Sequence, residues 1–231
     1  MTNWSSISKR EHMNRAGMLR RLREMLRGRD VAVVYGVLVV VISVVVAIQP
    51  SGLAQTLVDG SSTSLVNLRQ RPLLVLFASP FVVYPAYGLW LVPPMVVAYG
   101  VLQRWLGRVS VIVVAVLGHV GATLFVATME VTSLARGLVG SSISVNPDVG
   151  ISYGLAAAAG VLVVRVGAAW RRQYVIVSLI VIVGQVLVLQ DFTGLGHVIA
   201  WWIGLAVAVP VASVIVRTGR PSVCPPDGAE H

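Results

Sequence analysis

The feature that most constrains this chain is an uncharged run of 19 residues, 31–49 (VAVVYGVLVVVISVVVAIQ), and the recurrence of similar runs along the sequence. At about 1.5 Å of rise per residue, such a run coiled as a helix just crosses the roughly 30 Å hydrocarbon core of a bilayer. Its many valines favour strands in water. In lipid, however, an open strand would leave its backbone N–H and C=O groups unpaired, so a helix is expected. Further runs lie at 84–103 (interrupted by Pro93-Pro94), 109–129, 149–166, 173–190 and 193–216. The expectation is an all-α polytopic membrane protein of about six transmembrane helices. Composition agrees: 12% of residues are charged, about half the share a soluble domain needs to cover its surface.

Between the first two runs, Pro50, Gly52, Asp59, Gly60 and the Ser/Thr cluster 61–64 mark a loop. The apolar stretch Leu73–Phe77 within it is too short to span and is cut off by Pro80, so a structured loop with half-buried, interfacial pieces is expected. Residues 1–30 form a basic segment in which Met18, Leu22, Met25 and Leu26 fall at helical spacing among arginines, a pattern that suits an amphipathic surface helix or a solvated basic tail. Residues 31–216 form the membrane domain. Residues 217–231 carry two adjacent prolines and no periodicity, as a disordered tail does.

The net charge of +9 does not point to nucleic acid, because the basic residues sit at the ends of apolar runs and not in a stripe interleaved with aromatics. Their distribution instead sets a topology. With both termini in the cytoplasm, 15 basic residues fall inside and three (Arg69, Arg71, Arg136) outside. The reverse orientation inverts that ratio, so N-in/C-in is expected. The polar start of the chain is not that of a cleaved signal peptide. Arg outnumbers Lys 17 to one and Val, Ala and Gly abound, the bias of a high-GC bacterial genome, so a multi-pass protein of a bacterial cell membrane is expected. The expected partners are membrane lipids and transmembrane proteins. Cys224 is the sole cysteine. No Cys/His spacing suggests a metal, and no cofactor is expected.

Ionisable or reactive side chains inside apolar runs carry the functional information, because lipid makes them costly. His197 (GLGHVIAWWIG) lies about one turn into the last run, where it suits a general base, a proton carrier or a packing clamp. Ser152 (PDVGISYGLAAAAG) lies about one turn into its own run, on a very small helix face, and suits a nucleophile or a helix contact. Both sit near the same outer interface on helices of the same direction, so they can meet at one depth. Asp148, four residues before Ser152, suits either an orienting acid or a helix cap, and Asp191 is an interfacial acid before the last run. His119 lies nearer the middle of its run, with Thr123 one turn further, and suits a proton path or a clamp to a neighbouring helix.

These residues together resemble the rhomboid superfamily over roughly 31–216. Gly150-Ile151-Ser152-Tyr153 stands where rhomboid proteases carry a GxSG motif opening the fourth helix. His197 and Gly204 stand where the family's sixth helix carries a His followed by glycines. Gln103-Arg104-Trp105-Leu106-Gly107 is similar to the turn after the family's second helix, and SSTSLVNLRQRPLLVLFASPF is similar to the first loop of rhomboid-like proteins from high-GC bacteria. The resemblance implies a rhomboid-like bundle and one of two functions. One is an intramembrane serine protease, with Ser152 as nucleophile, His197 as base and Asp148, Tyr153, His119 and Asp191 as supporting candidates. The other is an inactive pseudoprotease that binds membrane partners. The sequence departs from the family in three places: Tyr153 replaces the glycine after the nucleophile, 84–103 contains neither the His nor the Asn of the oxyanion site, and the first loop lacks the Trp-Arg pair.

Overall fold

The computed structural model describes residues 27–83, 88–140, 148–189 and 192–218, and every regular element among them is a helix. In chain order these are α1 (Asp30–Ala47), α2 (Ser51–Ser61), α3 (Leu65–Gln70), α4 (Pro72–Ala78), two 3-10 turns (Ser79–Phe81 and Gly88–Leu91), α5 (Val92–Leu106), α6 (Arg108–Ala135), α7 (Ser152–Leu162), α8 (Ala168–Leu189) and α9 (Phe192–Thr218). Most of the basic segment 1–30, the tyrosines Tyr84 and Tyr87, Asn146-Pro147, Asp191 and most of the tail 217–231 lie outside the described residues.

Among the described residues four helices, α1, α6, α8 and α9, are long and apolar enough to cross a membrane. At 15 and 11 residues, α5 and α7 reach only about 22 Å and 16 Å by helical rise, short of the roughly 30 Å core. Both occupy places where the sequence suggests full spans. The shortness of α7 is tolerated because other helices surround it, and irregular backbone is stable at membrane depth where protein, not lipid, surrounds it; α5 keeps an outward face at Val97 and Val101.

The packing inverts the rule for water-soluble helices. In α1 the buried stripe is Ala32, Gly36, Val39, Ser43 and Val46, at alternating spacings of four and three, while Val34, Val37, Leu38, Val41 and Val45 face outward. Lipid is as apolar as Leu, so large side chains gain little by turning inward. Small ones gain by letting helices approach. The same logic makes α7 the centre of the bundle: Gly154, Ala156, Ala157, Ala158 and Gly160 are all buried, against α9, α6 and α5. Among the described residues the contact between α7 and α9 is the most extensive. A methyl group on Gly204 would overlap the carbonyl of Ala157, and one on Gly160 would overlap that of Trp201. By contrast, α8 packs mainly on α9, with Ile182 against Trp201 and Val163 and the Tyr174 hydroxyl donating to the Ala159 carbonyl at 2.9 Å.

Two local expectations are corrected. Pro93 and Pro94 do not interrupt a span. They sit in the first turn of α5, where a missing N–H costs nothing because no acceptor precedes it. The loop signals Pro50, Gly52, Asp59 and Gly60 do not break the chain either. Pro50 is the N-cap of α2 and the other three lie inside that helix, where Gln55 Nε2 donates to Asp59 Oδ1 at 2.7 Å across one turn. The short stretch around Leu73–Phe77 forms a seven-residue helix ended by the 3-10 turn that holds Pro80. The Leu-Gly turn also forms as read: Gly107 separates α5 from α6 at φ +89, a conformation that favours glycine.

Gly204→Val is expected to destabilise the bundle by about 3 kcal/mol or more through overpacking against the α7 backbone. Gly184→Ala on α8, where an added methyl meets nothing within 4 Å, should stay within about 1 kcal/mol of wild type. Unfolding of both variants in mild detergent, followed by circular dichroism, checks the contrast.

Candidate functional site

Ser152 is the first residue of α7 and Ile151 its N-cap. The backbone reaches this point through Gly150 at φ +122, so the first residue of the GIS string is a glycine for a conformational reason. The Gly150 N–H donates to the Ser79 carbonyl at 2.9 Å, and the N–H and hydroxyl of Thr63 both donate to the Asp148 carbonyl, at 2.9 and 3.0 Å. The first loop therefore satisfies the irregular backbone that leads into α7, as a low-dielectric setting demands.

Tyr153, not Ser152, projects into the seam between α7 and α9. It is buried, and its ring stands edge-on to that of His197 with centroids 4.9 Å apart and planes at 62°. Its hydroxyl donates to Asp148 Oδ2 at 2.7 Å. Space for the ring is provided by Gly196, where any Cβ would collide with the phenol. Asp148 precedes the helix, so it does not share a helical face with Ser152. Ser152 itself is half-buried, and no hydrogen bond among the described residues joins it to His197. Among the described residues no three His, Cys, Asp or Glu side chains converge as metal ligands would.

His119 meets the same tyrosine from α6, with ring centroids 6.3 Å apart. Its Nε2 shares a 2.9 Å hydrogen bond with the hydroxyl of Ser79, which is fully buried. Ser79 thus ties α6 to the turn before α7 through its side chain and its carbonyl at once. The next residue, Pro80, accepts from the Tyr35 hydroxyl of α1 at 2.6 Å, and Tyr35 stacks on Tyr99 of α5. The structure therefore gathers Asp148, Tyr153, His119 and His197 around one aromatic ring, with Ser152 beside them at the helix start.

Ser79 was not among the residues singled out by the sequence. It carries the signal that marks the histidines, a polar side chain within apolar surroundings (LFASPF). It lies, however, in a segment too short to span, where such a serine reads as loop surface. Tyr153 stood in the sequence as a departure from a motif and as a supporting candidate. Its contacts with Asp148 and His197 depend on how α9 lies on α7.

The fold defines a class, a multi-pass helical membrane protein built around a short, glycine-rich central helix. The family follows from comparison: the model described as "Rhomboid-like protein" matches residues 26–217, and the chain belongs to this rhomboid-like family. No curated protein and no solved structure matches it.

Ser79→Ala leaves His119 Nε2 buried without its partner and is expected to cost about 1–3 kcal/mol of stability. The double variant Ser79→Ala/His119→Leu should cost less than the sum of the single changes, because it removes both ends of the bond. A double-mutant cycle from detergent unfolding measures the difference.

Proposed function

We propose that this rhomboid-like protein holds transmembrane partners without cleaving them. The observation that carries the reading is the Tyr153 ring, anchored on Asp148 and packed against His197. It stands where the family resemblance implies a glycine beside the nucleophile. A serine hydroxyl becomes a nucleophile when a base lies within about 2.6–3.2 Å. Here a phenol packs edge-on against the imidazole of His197. The missing His and Asn of residues 84–103 argue the same way, since losing a single oxyanion donor typically slows acyl transfer by about 10²–10³.

A second reading keeps the intramembrane serine protease, with Ser152 as nucleophile and His197 as base and no cofactor. It is favoured by the half-buried position of Ser152 at the start of α7 and by the placement of His197 on the adjoining helix. Catalytic hydrogen bonds are often long before substrate binds. In that reading Asp148 and Tyr153 hold the imidazole, His119 steadies the core beneath it, and Asp191 is the acid that precedes the last apolar run in sequence.

A serine-reactive fluorophosphonate probe, applied to the folded protein in bilayers, separates the two. The binding protein is expected to show no labelling that depends on Ser152. Labelling of wild type that disappears in both Ser152→Ala and His197→Ala would sink that reading and establish the protease.

We further propose the N-in/C-in orientation in a bacterial cell membrane, on the 15-to-three partition of basic residues. Cys224, the sole cysteine, is a natural reporter. In intact spheroplasts it is expected to resist a membrane-impermeant maleimide and to react after permeabilisation. Reaction in intact cells would reverse the orientation.

A further inference from the structure

Helices α1 and α6 both pack on α5 but barely on one another, and between them lies an apolar cavity of about 820 Å3. Its walls are one face of α1 (Val34, Leu38) and one face of α6 (Ile112, Val116), with Tyr99 of α5 behind and Phe77 of α4 closing the far end. The four wall residues are 44–57% exposed, so the cavity is a groove open to the membrane. Its size is that of a small-molecule site, roughly 300–1,000 Å3.

Length identifies the chemistry of the occupant. The groove runs along α1 from Asp30 to Leu38 and along α6 from Val111 to Val120, about 12–14 Å by helical rise. Half of the hydrocarbon core is roughly 15 Å. One acyl chain from a single leaflet therefore fits, and Leu76, Phe77 and Pro80 stop it near the membrane centre. A transmembrane helix would need a groove twice as long, and the first loop blocks that path.

Charge identifies the headgroup. Asp30 lines the open end and is engaged by Arg108, with Nε 2.9 Å from Oδ2, and by the amide of Gln103. Arg27, Arg29 and Arg104 lie nearby on the chain leading into α1 and at the end of α5, with the Arg104 stem against Gly28. Arg108 pairs with Asp30, and Arg27, Arg29 and Arg104 add positive charge on the neighbouring segments. The Arg29 stem lies along Gly100, and its Nε is buried with no hydrogen-bond partner among the described residues. A phosphate at this level would supply the missing acceptor and the missing negative charge.

We propose that the groove between α1 and α6 binds one anionic phospholipid, with an acyl chain between Leu38 and Val116 and its phosphate among Arg29, Arg104 and Arg108. The inner wall of the groove reaches His119, Gly150, Ile151 and Gly154 beside the Tyr153 cluster, but lipid binding there does not depend on whether the protein cleaves peptides.

Native mass spectrometry of the full chain, released from detergent with added phosphatidylglycerol or phosphatidylcholine of identical chains, tests the proposal. Wild type is expected to retain one phosphatidylglycerol, preferred over phosphatidylcholine by about five-fold or more. Val34→Trp, which fills the groove from an exposed position, should lower retention of both lipids by at least about five-fold. Arg29→Gln/Arg108→Gln should abolish the preference while leaving chain binding. Val45→Trp, on the exposed surface of α1 away from the groove, should change neither, and its circular dichroism serves as the folding control for Val34→Trp. Equal retention in Val34→Trp and wild type, no headgroup preference in wild type, or a protein dimer that Val34→Trp dissociates would each overturn the proposal.

Discussion

The backbone contact between α7 and α9 is the interaction on which the rest depends. Gly160 and Gly204 bring each helix against a carbonyl of the other, an approach closed to any larger residue. Because lipid supplies no hydrophobic drive between helices, stability must come from such close packing and from bonds that leave no polar group stranded. Once α7 is drawn into the middle of the bundle it can be short, since its ends meet protein instead of hydrocarbon. The broad, exposed valine faces of α1 and α6 are the complement of this arrangement. They are what small-residue interiors leave for the lipid.

A short buried helix needs a partner for the irregular backbone before it, and the first loop is that partner. Thr63, Ser79 and Pro80 each bond to a different part of the bundle: the Asp148 carbonyl, His119 with Gly150, and Tyr35. The loop is therefore a structural wedge, not a flexible tether. The wedge also ends the groove between α1 and α6, so one set of contacts shapes both the Tyr153 cluster and the proposed lipid site. Side chains far apart in sequence are coupled through Ser79, which touches the loop, α6 and the start of α7.

At the cluster itself the chemistry is governed by what the α7–α9 seam admits. Gly196 leaves room for an aromatic ring, and Tyr153 fills it. A phenol held on Asp148 and set edge-on to His197 is a packing arrangement with polar handles at its rim. It steadies the seam by filling the space between α7 and the imidazole. This is why one residue beside the serine bears on function as strongly as the serine itself.

The helical membrane class, the family and the positions of the critical small residues were legible in the chain. Long uncharged runs permit only helices in lipid, and the glycine and polar spacing around Ser152, His197 and Gly204 carries the rhomboid resemblance. The turn at Gly107 was legible for the same local reason. The role of Pro93 and Pro94 was not, because a proline pair inside an apolar run reads alike as a kink or as a first turn until the helix start is known. Nor was the α2 helix, where weak breakers are outvoted by helical hydrogen bonds on an exposed surface. The sequence by itself determined which segments must be helices and which side chains are too costly in lipid to be incidental, since both follow from the solvent alone. Only the tertiary structure decided that Tyr153 meets His197, that Ser79 meets His119 and that α1 and α6 part to leave a groove. Those contacts depend on the angles at which helices cross, and these are set by the whole bundle together.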